Sequence, residues 1–241
     1  MNIWVLHMLE IQNLTIRYGN FLAVNNVSLR IPKGQIIALI GPNGAGKSSI
    51  VRAIGGLNSF ESGRITFLNK NLMETEPHLR IVKGLSIVPE GRGLFPRMSV
   101  EENLLMGSYS FKNKGLLDEL LNRNFELFPI LKERRQQLVG TMSGGQQQMV
   151  AVAVGLMSNP KLCIFDEPSL GLAPIVIEQI GDALISLKKQ DLTVFLVEQN
   201  ASLTTRVADL IYVLSAGEIK YCDTSSNLMN NNEVLETFLS V

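Results

Sequence analysis

The sequence predicts an α/β fold built on a mainly parallel sheet, and three observations carry that expectation. Short apolar runs of strand length alternate with helix-compatible stretches through the second half of the chain. A glycine-rich turn joins one such run to a helix just after residue 40. A second apolar run ends in the paired carboxylates Asp166 and Glu167. Strands covered by crossover helices on both faces read as continuous apolar runs, which is the pattern seen here.

The elements follow in order. Residues Met1 to His7 contain Ile3, Trp4, Val5 and Leu6 but no basic start, full apolar core or cleavage site, so an upstream start or extension is expected rather than a signal peptide. Leu9 to Arg17 and Phe21 to Ile31 alternate loosely about Gly19-Asn20 and predict paired, antiparallel strands. Gln35 to Ile40 predicts a buried strand, Ser48 to Ile54 a helix, and Arg64 to Leu68 a further strand after Ser62-Gly63. Leu85 to Val88, Leu162 to Phe165, Thr193 to Val197 and Ile211 to Leu214 supply the remaining strands of a parallel sheet. Between about Pro89 and Pro160 the pattern changes to long amphipathic segments, among them Leu116 to Phe128, which predict a helical insertion. No internal repeat is present, and Asn230-Asn231-Asn232 reads as a polar turn.

The 241 residues suit one large α/β domain, or a core with a smaller inserted subdomain. With 46% hydrophobic and 18% charged residues the chain can bury a substantial core. A mean hydropathy of +0.17 is high for a fully exposed surface; a docking surface or a large buried sheet would each explain it. Lysine plus arginine and aspartate plus glutamate balance at 22 each, so no basic field draws the chain to nucleic acid, and no nucleic-acid partner is expected. The two cysteines, Cys163 and Cys222, are too few for a disulfide framework and lack metal-ligand spacing; Cys163, inside an apolar run, reads as a small buried hydrophobe. The longest apolar runs, Ile36 to Ile40 and Val194 to Val197, fall far short of the roughly 20 residues a membrane span requires.

Residues 41 to 48 read Gly-Pro-Asn-Gly-Ala-Gly-Lys-Ser and follow directly on the Gln35 to Ile40 run. A strand entering a glycine-rich turn that leaves as a helix makes a phosphate cradle, because backbone N–H groups and the helix N-terminus both favour negative charge. Gly41, Gly44 and Gly46 allow close backbone approach, Lys47 would reach the β- and γ-phosphates, and Ser48 would ligate Mg²⁺. A turn that binds nothing is the alternative, but with glycine near 7% the pattern arises by chance in roughly one chain of this length in a hundred.

Leu162 to Phe165 runs into Asp166-Glu167, at the strand end where open α/β sheets bind ligands. There Asp166 would support Mg²⁺, directly or through water, and Glu167 would act as general base toward an attacking water. Carboxylates at a strand exit are common, so the pair gains meaning from Lys47. Between them lies Met142-Ser143-Gly144-Gly145-Gln146 before an Ala/Val-rich helical run, a second anion site with Ser143 as cap and donor, or else a simple cap.

The order of phosphate loop, helical insert, Ser-Gly-Gly-Gln and strand-Asp-Glu resembles the nucleotide-binding subunits of ABC transporters across nearly the whole chain. The resemblance implies a P-loop NTPase of the ABC ATPase type, with an N-terminal antiparallel β subdomain, a mainly parallel core sheet and a helical insertion. It divides the chain into a core at about 8–89 and 160–241 and a helical subdomain at about 90–159. It implies ATP and Mg²⁺ as ligands, held by Gly41, Pro42, Asn43, Gly44, Ala45, Gly46, Lys47, Ser48 and Ser49. Tyr18 looks like the aromatic that stacks on adenine. Glu90 occupies the position usually held by a glutamine that senses Mg²⁺, water and the membrane partner, and Gln199 falls where most members have a histidine contacting the γ-phosphate. Ser143, Gly144, Gly145 and Gln146 look like the signature that completes the nucleotide site of a second subunit. Ala173 and Val154 replace a common aspartate and arginine, and the second puts the anchoring of its helix in question.

Pro89-Glu90-Gly91-Arg92 with Phe95-Pro96-Arg97, Asp166 through Pro174, and Val197-Glu198-Gln199-Asn200 resemble one ATP-binding subunit of branched-chain amino-acid importers, the F component. That resemblance implies a second ABC ATPase subunit in a homo- or heterodimer, two transmembrane permease subunits, a periplasmic or extracellular substrate-binding protein, and a peripheral place on the cytoplasmic face of the inner membrane. Leu94-Phe95-Pro96 beside Glu90 would face the membrane partner, unless the insert folds over them. The same engine could serve amides, urea or a lipid, or work as a soluble ABC ATPase outside transport.

Overall fold

Two long strands open the described chain: β1 (His7–Tyr18) pairs antiparallel with β2 (Phe21–Pro32), and Tyr18 faces Phe21 across the Gly19-Asn20 turn. The computed structural model describes residues 7–109 and 114–229. Of the extension expected at Met1 to His7, His7 instead begins β1, while residues 1–6, the polar turn at Asn230 to Asn232 and the last residues of the expected core lie outside the described residues. After β3 (Ile36–Ile40) come α1 (Lys47–Gly55), β4 (Ser62–Phe67), β5 (Lys70–Asn71), α2 (Pro77–Arg80) and β6 (Leu85–Val88). The strand expected to reach Leu68 stops one residue early, because Leu68 and Asn69 both take positive φ in a tight turn. β4 joins the other side of β1, giving the antiparallel order β2-β1-β4-β5.

The helical stretch comprises α3 (Val100–Gly107), α4 (Lys114–Leu127), α5 (Pro129–Glu133) and α6 (Gly144–Leu156). Phe128 separates α4 from α5 because Pro129 pushes the residue before it out of helical geometry. Ser99 and Glu102 form a capping box that starts α3. The chain then alternates: β7 (Leu162–Asp166), α7 (Pro174–Lys189), β8 (Thr193–Glu198), α8 (Ala201–Val207), β9 (Leu210–Ser215), β10 (Glu218–Thr224) and α9 (Ser225–Met229). α7 opens with Pro174 at its first position and ends with Lys188 and Lys189 against its C-terminal dipole.

The second sheet runs β10-β9-β3-β8-β7-β6, parallel throughout except for β10. Its residues alternate between two cores. Ile36, Ala38, Ile40, Cys163, Phe165, Val194 and Leu196 face α6, α7 and α8. Ile37, Leu39, Ile164, Phe195 and Val197 face α1 and the antiparallel sheet. Every residue of β3, β7 and β8 is buried, which explains their unbroken apolar runs and accounts for much of the high mean hydropathy. Burial also pushes the Cys163 thiol far up, so it behaves as a small hydrophobe.

Val154 does not leave α6 loose. The backbone carbonyl of Val154 comes so close to Gly107 that a Cβ there would stand 2.2 Å away, and the Ser86 hydroxyl donates to Gly155 O at 2.9 Å. Close backbone packing on α3 and a hydrogen bond to β6 fix the helix without an arginine.

Candidate active site

Every strand that delivers a candidate group ends at the same edge. β3 runs into the loop holding Lys47, β8 into Gln199, β7 into Asp166 and Glu167, and β6 into Glu90. In space these four strands are consecutive, and their ends are level: Ile40 pairs with Glu198, Asp166 with Val197, and Val88 with Phe165. Residues separated by more than 150 positions in sequence thus share one carboxyl edge, where parallel sheets bind ligands.

The loop from Gly41 to Gly46 holds its shape by glycine at two points. A Cβ on Gly41 would lie 2.1 Å from Leu214 O, and one on Gly46 would lie 2.4 Å from Ala23 O. Gly46 also takes φ +108° as the N-terminal boundary of α1 and offers no side-chain cap. Gly44 has φ +80° and open space where its Cβ would be. Pro42 and Asn43 are exposed beside it, while Ala45 is buried and is held by an N–H bond to Pro42 O at 3.2 Å and a Gly217 N–H bond to its carbonyl at 3.0 Å. The first-turn donors of α1, including those of Ser48 and Ser49, have no intrahelical acceptor, so an anion can take them.

Lys47 is 4% exposed and turns back over this loop. Its Nζ donates to Gly41 O at 2.8 Å and Pro42 O at 3.2 Å, and stands 3.0 Å from Glu167 Oε1. Glu167 takes φ +51°, and its N–H donates to Val197 O at 2.8 Å. Next to it, Asp166 is buried and its Oδ1 has no partner. Burial pushes the Asp166 carboxyl up to about 6, helped by the negative charges of Glu167 and Glu90 and opposed by Lys47 and Arg52.

Tyr18 is half-exposed beside α1; its hydroxyl accepts from Asn58 Nδ2 at 2.7 Å and lies 3.4 Å from Ser49 Oγ. Glu90 and Gln199 are exposed at their strand exits. At α6, Ser143 is the N-cap of a capping box: its hydroxyl accepts from Gln146 N–H at 3.3 Å, and Gln146 Oε1 accepts from Ser143 N–H at 3.1 Å. Gly144 is exposed, and a Cβ on Gly145 would meet Val176 at 2.7 Å. Among the described residues no hydrogen bond joins Ser143–Gln146 to the Gly41–Ser49 loop. Leu94 packs against the helical-side core, whereas Phe95 is 48% exposed, so the two residues divide between core and surface.

Two linking residues carry no individual signal in the sequence. Arg92, at φ +63°, donates to Gln147 Oε1 at 2.9 Å and Gln148 Oε1 at 3.2 Å, joining the Glu90 turn to the start of α6. Glu198, the last residue of β8, is 1% exposed and accepts backbone N–H groups from two loops. A lone carboxylate at the end of an apolar strand reads as a polar exit until its neighbours are known.

The orphaned Asp166 oxygen and the nearby Glu90 charge suit a divalent cation. Among the described residues no group of three or more His, Cys, Asp or Glu forms a complete metal site, so further ligands would have to come from a bound phosphate chain and water, as Mg²⁺ commonly requires. A cavity of about 1040 Å³ lies between α4, α5 and α7, at the amino ends of β7 and β8, and shares no residue with the cradle.

The family profile described as "ABC transporter" matches residues 24–170, more than half of the chain. The high-affinity branched-chain amino acid transport ATP-binding protein BraG of Pseudomonas aeruginosa is 44% identical over 96% of this chain and 99% of its own length. A nucleotide-free ATP-binding cassette from an ABC transporter superposes with a TM-score of 0.83 at 26% identity, covering 98% of this chain and 99% of that one. A dimeric bacterial ABC transporter cassette superposes with a TM-score of 0.79 at 25% identity, covering 90% and 99%.

Proposed function

The chain belongs to the ABC transporter family of ATP-binding subunits, and from that premise we propose that it hydrolyses ATP to drive a branched-chain amino-acid importer. The observation that carries the catalytic part is the buried meeting of Lys47 and Glu167 at the carboxyl edge of the parallel sheet. The cargo reading rests on the likeness to BraG.

ATP would lie with its phosphates along Gly41 to Ser49 and its adenine against Tyr18. The γ-phosphate would draw Lys47 out of its ion pair, leaving Glu167 free to take a proton from an attacking water. The water oxygen then bonds to the γ-phosphorus as the bond to the β–γ bridging oxygen breaks, giving ADP and phosphate. Gln199 can donate an amide hydrogen to a γ-phosphate oxygen but cannot exchange a proton as an imidazole does. Ser48 and Asp166, with Glu90 beyond them, would hold Mg²⁺, which when bound neutralises charge on the β- and γ-oxygens.

Ser143, Gly144, Gly145 and Gln146 would close the site of a second ATPase subunit, the same chain or a related one. Core residues 8–89 and 160–241 would carry the nucleotide, and residues 90–159 would carry the signature and the contact with two permease subunits through Glu90 and Phe95. A separate substrate-binding protein would select the cargo. No helix among the described residues is long and apolar enough to cross a membrane. Attachment to the cytoplasmic face of the inner membrane would therefore come through the permeases.

Deleting the gene should abolish high-affinity uptake of leucine, isoleucine and valine while sparing unrelated amino acids. Undiminished uptake of all three would overturn the cargo reading; loss of urea, amide or lipid transport instead would reassign it.

A further inference from the structure

Glu198 closes a strand whose other residues are almost all apolar, and it is 1% exposed. Among the described residues it makes no ion pair. Its Oε1 accepts from Ser169 N–H at 2.9 Å, while its Oε2 accepts from Gln199 N–H at 3.0 Å and Asn200 N–H at 3.1 Å. A buried carboxylate is costly unless its lone pairs are met, and backbone N–H groups meet them here. Desolvation pushes its pKa up, opposed first by the Ser169 side chain and then by the backbone N–H groups of Asn200, Ser169 and Gln199.

Each of the two loops it joins carries a residue that the proposed mechanism sets at the γ-phosphate. Ser169 lies two residues beyond Glu167, and Gln199 follows Glu198 directly. Glu167 itself takes a left-handed φ of +51°, a conformation a non-glycine residue keeps only when its surroundings over-determine it. Two ties do so: its N–H bond to Val197 O on one side, and the Ser169–Glu198 bond on the other.

We propose that Glu198 is a positioning residue that locks the Glu167 loop and the Gln199 loop into one unit, so that base and phosphate donor reach the γ-phosphate together. This rests on the reading of Glu167 as base and Gln199 as γ-phosphate contact. It adds a fourth carboxylate to the proposed site, beside Glu90, Asp166 and Glu167, and one that acts through its neighbours.

Glu198→Gln tests it at nearly constant volume. The amide keeps one acceptor oxygen and replaces the other with a donor, so the backbone N–H of one loop loses its acceptor and the tie between the loops weakens. In the full-length chain, ATP affinity should stay within twofold and the unfolding temperature within about 3 °C, while kcat falls at least fivefold. A smaller loss of kcat, or a loss matched by equal losses of affinity and stability, would overturn the proposal. A second measurement needs no variant. In wild-type chain, hydrogen exchange of residues 167–173 and 198–201 should change together when a non-hydrolysable ATP analogue and Mg²⁺ are added, and a change in one segment alone would overturn it. If wild-type chain neither binds nor hydrolyses ATP, the catalytic reading fails before this one is reached.

Discussion

Lys47 Nζ lies 3.0 Å from Glu167 Oε1, with the two side chains only 4% and 7% exposed. The cation that would bind phosphate and the carboxylate that would activate water neutralise each other. Each is thereby kept from being a lone buried charge, and in the proposed mechanism each is released when phosphate competes for the lysine. On that proposal, binding and activation of the base become a single event.

Glu167→Gln should separate the two. The amide cannot take a proton from water, so turnover should fall by about 10²–10⁴-fold, the usual range for a lost general base. ATP affinity should hold or rise, because Lys47 no longer has a carboxylate to leave. Nucleotide titration beside phosphate release measures both, and wild-type turnover in the variant would remove Glu167 from the mechanism.

Lys47→Ala acts on the other partner. It should weaken nucleotide binding at least tenfold and, by leaving Glu167 buried without its cation, lower the unfolding free energy by about 3 kcal/mol. The double variant Lys47→Ala with Glu167→Gln should regain most of that stability and none of the affinity. Denaturant melts of the four proteins give the coupling directly, and additive losses would mean the ion pair is incidental.

Asp166 makes a pH prediction. Its folded-state pKa is raised, chiefly by burial and then by Glu167 and Glu90, from 3.8 to about 6. The folded chain therefore holds this proton more tightly than the unfolded chain. The stabilising contribution is complete below about pH 4 and is lost as pH rises through 6, leaving a cost of about 1–3 kcal/mol at pH 7.5. Nucleotide-free Asp166→Asn should accordingly be more stable than wild type at pH 7.5, with the gap closing toward pH 4, yet should lose Mg²⁺-dependent ATP binding. A gap that is flat with pH would show that Asp166 titrates normally.

The cradle was legible because its chemistry is local: Gly41, Gly46, Lys47 and Ser48 lie within eight residues between a strand and a helix, and their spacing alone implies the turn. Asp166 and Glu167 were legible by their place after an apolar strand. Glu198 was not, because its role depends on Ser169, 29 positions away, and no periodicity encodes that meeting. Arg92 was hidden for the same reason, its partners Gln147 and Gln148 lying on another element. Val154 shows the converse. A missing arginine suggested a loose helix, but the space left by Gly107 lets backbone pack on backbone instead.

Ser143→Ala tests whether the site is shared between subunits. Ser143 is exposed, caps α6 through Gln146, and has no hydrogen bond to the Gly41–Ser49 loop among the described residues. Removing the hydroxyl should cost about 1 kcal/mol of stability as a lost N-cap. If each nucleotide lies between the Lys47 loop of one subunit and the Ser143 helix of another, ATP affinity of the lone chain should change less than twofold, because its own Ser143 does not serve its own cradle. Turnover should instead fall at least tenfold, and wild-type specific activity should climb with protein concentration as association fills the second half of the site. Sedimentation with ATP and rate measurements across a concentration series test this together. A lone-chain affinity loss as large as that of Lys47→Ala would place Ser143 within its own chain's site, and a specific activity independent of concentration would mean that one chain hydrolyses ATP unaided.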